Sequence, residues 1–193
     1  MMIAIIDFDA GNTRSLQFAL DRLGAKNILT SDIDKINSAD KVIFPGQGAA
    51  KSAMKKIIKC GLDKVIPKLN QPVLGICLGM QLFCEITEEQ NTKGLGIINS
   101  KVKLFSNKRK VPQIGWNKIL NLRSPLFNGI SENEYMYLVH SYYVPVIKET
   151  VAQSCYGINY SVSIKKNNFY GVQFHPEKSS KPGQLILENF LNL

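Results

Sequence analysis

The segment Leu74-Gly75-Ile76-Cys77-Leu78-Gly79-Met80-Gln81 constrains this chain more than any other, because it sets one cysteine between two different periodicities. Before it, Gln71-Pro72-Val73-Leu74-Gly75-Ile76 is short, apolar and opened by proline, the pattern of a buried parallel strand. After it, Met80-Gln81-Leu82-Phe83-Cys84-Glu85-Ile86 spaces its apolar residues as a helix would, and this helix is expected to end before Gln90-Asn91. Gly75 and Gly79 bracket the junction, which suits a backbone forced sharply from strand into helix. Cys77 would then stand over a helix N-terminus, where the dipole favours a thiolate: a nucleophile elbow built on sulfur.

A nucleophilic cysteine needs a base, and the chain has only two histidines. His175 closes the alternating run Phe169-Tyr170-Gly171-Val172-Gln173-Phe174-His175, and Glu177 follows across Pro176. In extended backbone the side chains of 175 and 177 leave on the same side, and the proline stops further ladder pairing. A carboxylate beside an imidazole fixes its tautomer and supports the imidazolium formed when it takes a proton. Cys77, His175 and Glu177 are therefore a candidate triad. His140, at the end of another strand-like run, reads as structural because His175 already has the adjacent carboxylate. Cys60, Cys84 and Cys155 have no such company and read as inert thiols.

With 193 residues, 45% hydrophobic and 20% charged, the chain is expected to form one domain over 1–193 with a sizeable core. The apolar run Met2–Ile6 stops at Asp7, too short for a membrane span and without the basic leader of a signal peptide. Scattered cysteines, one of them nucleophilic, point to a reducing compartment, the cytoplasm. The net charge of +9 raises nucleic acid as a partner, but the lysines are dispersed apart from Lys101-Lys103 and Lys108-Arg109-Lys110. A solvated basic face is the better reading, and no nucleic-acid or membrane partner is expected. No metal-ligand cluster, phosphate loop or dinucleotide fingerprint is present in the sequence, so no cofactor or metal is expected either.

Strands are expected at 2–8, 27–30, 41–44 and 73–76, with helices at 15–23, over 53–69 interrupted near Gly61, and after Cys77. This alternation implies an α/β fold with a mostly parallel, doubly wound sheet and functional residues at the strands' C-terminal ends. Beyond residue 94 the pattern turns to short strand candidates, at 102–105, 114–116, 135–139, 150–156, 161–165 and 170–173, an antiparallel extension around the site. A last helix at 183–191 is expected to carry Leu185, Ile186, Phe190 and Leu191 inward.

Gly75-Ile76-Cys77-Leu78-Gly79 together with Gln173-Phe174-His175-Pro176-Glu177 resembles the class I (triad) glutamine amidotransferases. Asp9–Ser15, Phe44-Pro45-Gly46-Gln47-Gly48, Pro112–Asn117 and Val139–Tyr143 are similar to the branch of that family that feeds ammonia to a cyclase subunit, a β/α barrel, in histidine biosynthesis. The resemblance runs in order from about residue 3 to the C-terminus. It implies attack of the cysteine on the side-chain amide of L-glutamine, release of ammonia, and a heterodimer with the cyclase.

The tetrahedral oxyanion of that attack needs donors. The N–H of Leu78, just after the nucleophile, is one, and the resemblance assigns the loop Gly46, Gln47 and Gly48 as the other, where a peptide flip would switch activity. It also assigns Gln81, Glu89, Ser141 and Tyr142 to glutamine, and Asn12, Trp116, Tyr137 and Lys178 to the face that meets the cyclase. Two positions depart from the family pattern: Gln47, usually small and apolar, and Gln113, often histidine. They leave a paralogue amidating another acceptor, such as a surface sugar, as the alternative. A peptidase-like enzyme on the same fold and a catalytically silent module are disfavoured by the Gln-Phe-His-Pro-Glu run and the intact triad.

Overall fold

Alternate residues of the first strand face two different cores. In β1 (Met2–Ile6), Ile3 and Ile5 pack on one side of a sheet and Ala4 and Ile6 on the other, all fully buried. Burial on both faces is what makes its sequence a continuous apolar run instead of an alternating one. The computed structural model describes residues 1–8 and 13–193 of the chain.

β1 is followed by α1 (Thr13–Arg22), β2 (Lys26–Thr30), α2 (Ile33–Ser38), β3 (Lys41–Phe44), α3 (Ala50–Lys59), α4 (Leu62–Val65), β4 (Val73–Ile76) and α5 (Leu78–Leu82). The second half runs β5 (Cys84–Thr87), β6 (Thr92–Lys93), β7 (Ile98–Leu104), β8 (Gln113–Lys118), β9 (Tyr135–His140), β10 (Tyr142–Tyr143), β11 (Thr150–Cys155), β12 (Asn159–Lys166), β13 (Phe169–Val172) and α6 (Ser180–Leu191).

The central sheet has seven strands in the order β11-β12-β13-β4-β3-β1-β2. Pairing is parallel from β2 through β13 and antiparallel at β12 and β11. One core packs α1, α6 and the ribbon β8–β9 on one face; the other packs α3, α4 and the small sheet β10-β7-β5-β6 on the opposite face. Each fully buried Leu, Ile or Phe contributes about 1.5–3 kcal/mol, so both faces hold the central strands in place. The doubly wound architecture agrees with the sequence.

Four local expectations need correction. The helix after Cys77 ends at Leu82, well before Gln90, and Cys84–Thr87 is a strand pairing with β7 through Cys84↔Ile98 and Thr87↔Val102. The apolar spacing of Leu82, Phe83 and Ile86 fits helix and strand alike, and pairing with a distant strand decides. The strands outside the central sheet therefore begin at residue 84, not 94, with β5 parallel to β7 and antiparallel to β6. In α6 the buried residues are Gly183, Ile186, Leu187 and Phe190, so Leu187 takes the inward place expected of Leu185. The helix α2 was not expected; Asp32 caps it, accepting from the N–H groups of Asp34 and Lys35 at 2.9 and 3.1 Å. Gly61 does break the α3–α4 region, in the left-handed conformation at φ 71°.

Candidate active site

β4 delivers Cys77 to the C-terminal edge of the sheet, between β3 and β13. Its N–H still bonds the carbonyl of Val172 at 2.8 Å, as if the strand continued. The backbone then turns at φ 54° and ψ −109°, a conformation side chains avoid, and α5 begins at the next residue. Gly79 makes the turn possible by close approach: a Cβ there would collide with the carbonyl oxygen of Phe44 at the end of β3. Gly46 is packed as tightly, since a Cβ would stand 2.7 Å from that of Leu78. The elbow and the start of the Pro45–Gly48 loop thus form one block.

Beside the elbow, the chain leaves β13 and makes a single 3-10 turn at Pro176–Lys178, closed by Lys178 N–H on the carbonyl of His175 at 3.0 Å. The expected extended geometry is replaced by this turn, yet it serves the same end. His175 Nδ1 meets Glu177 Oε1 at 2.9 Å, and both side chains are buried, 4% and 5% exposed. The imidazole also interacts with the Cys77 side chain. Burial alone would push its pKa down; the hydrogen bonds and negative charge of Cys77 and Glu177 outweigh that and raise it. Cys77, His175 and Glu177 therefore form one continuous chain. Glu177 Oε2 is buried with no hydrogen-bond partner among the described residues.

A cleft of about 430 Å³ opens over the sulfur. Of the residues expected to act here, Gln47, Gly48, Cys77, Leu78, Gln81, Glu89, Ser141, Tyr142 and His175 line it. Gln81 is buried and both protons of its Nε2 are used, on the carbonyl of Tyr142 and on Gln173 Oε1, each at 2.9 Å. Only its oxygen remains for a ligand. Glu89 Oε2 caps α3 by accepting from Ala50 N–H at 2.9 Å. His140 is a strand-end residue whose pKa burial pushes down to about 4, against a smaller opposing effect of its bond to the Tyr142 carbonyl.

A family model described as glutamine amidotransferase class-I matches residues 4–193. The chain belongs to that family. The imidazole glycerol phosphate synthase subunit HisH of Bacteroides fragilis (strain YCH46) is 49% identical to this amidotransferase, covering 100% of both chains. The HisH subunit of Haemophilus influenzae (strain ATCC 51907 / DSM 11121 / KW20 / Rd) is 48% identical over 98% of this chain and 96% of its own. A chain of PurLQS from Thermotoga maritima shares the fold, with a TM-score of 0.76 at 18% identity, covering 99% of this chain and 97% of that one.

Outside the cleft, this amidotransferase exposes one face of the ribbon β8–β9. Ile114, Trp116 and Tyr135 are 61%, 52% and 47% exposed, and Trp116 pairs with Tyr137 across the strands, ring centroids 6.0 Å apart. Lys178, expected on the same face, lines the cleft wall, while Asn12 lies outside the described residues. The departure Gln113 is buried behind His140 and accepts from Tyr160 Oη at 3.1 Å. Pro112, Val139 and His140 also line the cleft, and the sequence had not placed them there. Gln173 was missed too, although the alternation that pairs 175 with 177 reaches back to it. Among the described residues no group of three or more metal-ligating side chains stands together, and no helix is long and apolar enough to cross a membrane.

Proposed function

We propose that this chain, as one amidotransferase domain over 1–193, is the glutaminase subunit of imidazole glycerol phosphate synthase, working with its barrel-shaped cyclase subunit as a heterodimer in the cytoplasm. The observation that carries the reading is the continuous Cys77–His175–Glu177 contact chain at the elbow, joined to HisH relatives at 48–49% identity along nearly the whole chain. Four free cysteines support a reducing compartment.

Cys77 Sγ attacks the side-chain amide carbon of L-glutamine while His175 takes the thiol proton, and Glu177 stabilises the imidazolium. The oxyanion is met by the N–H of Leu78 and by a peptide N–H of the Gly46-Gln47-Gly48 loop. Collapse of the tetrahedral species breaks the C–N bond; His175 returns its proton to the departing nitrogen and ammonia leaves. Water, deprotonated by His175, then hydrolyses the thioester to glutamate and regenerates the thiol. Gln81 Oε1, Glu89 and the backbone at Ser141 and Tyr142 hold the amino-acid end of glutamine. Trp116, Tyr137 and Lys178, together with Asn12 by the family resemblance, meet the cyclase, which consumes the ammonia.

The test combines the chain with the cyclase and its phosphoribosyl substrate and measures imidazole glycerol phosphate formed from glutamine and from free ammonium. Cys77→Ala should abolish the first and spare the second. Glutamine-driven synthesis surviving in Cys77→Ala would sink the mechanism. Glutaminase activity without any cyclase product would move the chain to a paralogue serving another acceptor.

A further inference from the structure

Gln173 is fully buried, and nothing in the chemistry above uses it. Its neighbours fix which way its amide points. The carbonyl of Tyr142 can only accept, so the atom of Gln81 lying 2.9 Å from it is Nε2. That same nitrogen sits 2.9 Å from the Gln173 amide and must meet its oxygen, Oε1. The opposite end, Nε2, is therefore turned to Cys77, 3.5 Å from Sγ. His140 Nδ1, at 2.7 Å, fills the other lone pair of the Tyr142 carbonyl. A line of directed bonds thus runs from His140 and the Tyr142 carbonyl through Gln81 and Gln173 to the sulfur, with no member free to reverse.

We propose that Gln173 donates an N–H to Cys77 Sγ, orienting it for attack and stabilising its anionic form, and that Gln81 is a positioning residue acting through Gln173. A second neighbour of the sulfur is the carbonyl of Val139 at 3.8 Å, which accepts from a thiol but repels a thiolate. Once the proton moves to His175, the sulfur needs donors already in place. His175 supplies one, and Gln173 supplies another from a different side without reorganisation. Two fixed donors define a direction for the sulfur as well as a charge state. Gln81 then has two duties, its oxygen toward the cleft and its nitrogen toward Gln173.

This assignment rests on Cys77 being the nucleophile, and the experiment separates the two. The rate of Cys77 alkylation by iodoacetamide is followed against pH in the full wild-type chain, Gln173→Leu, Gln173→Glu and Gln81→Leu. A Cys77→Ala sample subtracts the exposed Cys60 and Cys155. The charged groups facing the sulfur, His175 and Glu177 on the turn, His140 on β9, and Glu89 and Lys178 on the cleft walls, are the same in all three variants. The midpoint should rise by about one pH unit in Gln173→Leu, for loss of a hydrogen bond to a charged atom. It should rise further in Gln173→Glu, where a carboxylate faces the anion, and less in Gln81→Leu. For glutamine turnover, kcat should fall more than KM rises in the Gln173 variants.

An unmoved midpoint in folded Gln173→Leu overturns the proposal and leaves Gln173 a packing residue, even if turnover is lost. Should the Gln173 variants not fold, Gln81→Leu decides alone: a raised midpoint supports the proposal and an unchanged one overturns it. Glutamine turnover retained by Cys77→Ala would remove the nucleophile while leaving the midpoint shift as a separate, readable result.

Discussion

The backbone of Tyr137 is tied to the backbone of His175 on both of its polar groups. The His175 N–H donates to the Tyr137 carbonyl at 2.9 Å, and Ser179 Oγ bridges the return, accepting from Tyr137 N–H at 2.9 Å and donating to the His175 carbonyl at 2.7 Å. The side chain of Tyr137 packs on exposed Trp116. A load applied to the ribbon face therefore reaches the histidine through hydrogen bonds instead of loose packing.

Cutting the bridge should show this. Ser179→Ala strands a Tyr137 N–H, costing about 1–3 kcal/mol of stability. It should also shrink the factor by which the cyclase stimulates glutamine hydrolysis. Rates of the free subunit and the complex, measured for both proteins, give that factor; an undiminished stimulation in Ser179→Ala would show that the ribbon does not speak to His175 this way.

The two histidines should separate cleanly. His175→Asn removes the proton carrier and is expected to lower glutamine turnover by about 10²–10⁴-fold, with Glu177→Gln less damaging because the imidazole remains. His140→Asn should act mainly on stability. Steady-state kinetics of the three variants decide, and a turnover loss in His140→Asn equal to that of His175→Asn would reverse the roles.

His140 also gives the fold an acid-sensitive limb. Burial, reinforced by the charge of His175 and partly opposed by the Tyr142 hydrogen bond, sets its pKa near 4 against an ordinary 6.5. The neutral ring's contribution is complete above about pH 6.5 and is lost as pH falls toward 4, amounting to at most about 3 kcal/mol. Chemical denaturation across that window should weaken for the wild type and flatten in His140→Gln. Equal slopes for the two would place the acid sensitivity elsewhere.

Trp116→Ala should weaken cyclase binding by at least about 2 kcal/mol, roughly 30-fold, as a large exposed aromatic at an interface does. The fold should be barely disturbed, since the side chain is 52% exposed. Titration of the two subunits by calorimetry checks this; unchanged affinity would take the ribbon face out of the interface.

The elbow was legible in the sequence because its determinants are local: a change of period at Cys77 and glycines where a Cβ cannot fit. The His175–Glu177 pair was legible for the same reason, and a 3-10 turn produced the contact that an extended backbone was expected to make. The end of α5 was not legible. Cys84–Thr87 becomes a strand because Ile98–Leu104 lies alongside it, a fact no window around residue 84 contains. Leu185 and Leu187 lie on nearly opposite sides of α6, so the rotation of the helix against its packing neighbours decides which is buried. Lys178 is adjacent in sequence to Glu177, but only the turn shows that it reaches the cleft wall. Gln173 was hidden by its neighbours: beside His175 and Glu177 an amide draws no attention until its partners are seen.

The contact between Gly79 and the Phe44 carbonyl has a consequence for timing. With Gly46 wedged against Leu78, the oxyanion loop is anchored up to that residue and first gains room at Gly48, which stands at φ 95° with no atom within 4 Å of where a Cβ would be. Turning a donor toward the cleft then requires rotation of a peptide unit around Gln47 and Gly48, not the swing of a lid. Loop motions of that size take about nanoseconds to microseconds, whereas a typical enzyme turns over about ten times per second. The loop would re-equilibrate many thousands of times per catalytic cycle. Glutamine hydrolysis should therefore rise to its stimulated rate without a lag as soon as the cyclase docks, and the partner would set how often the donor is aimed, not how long the enzyme waits for it.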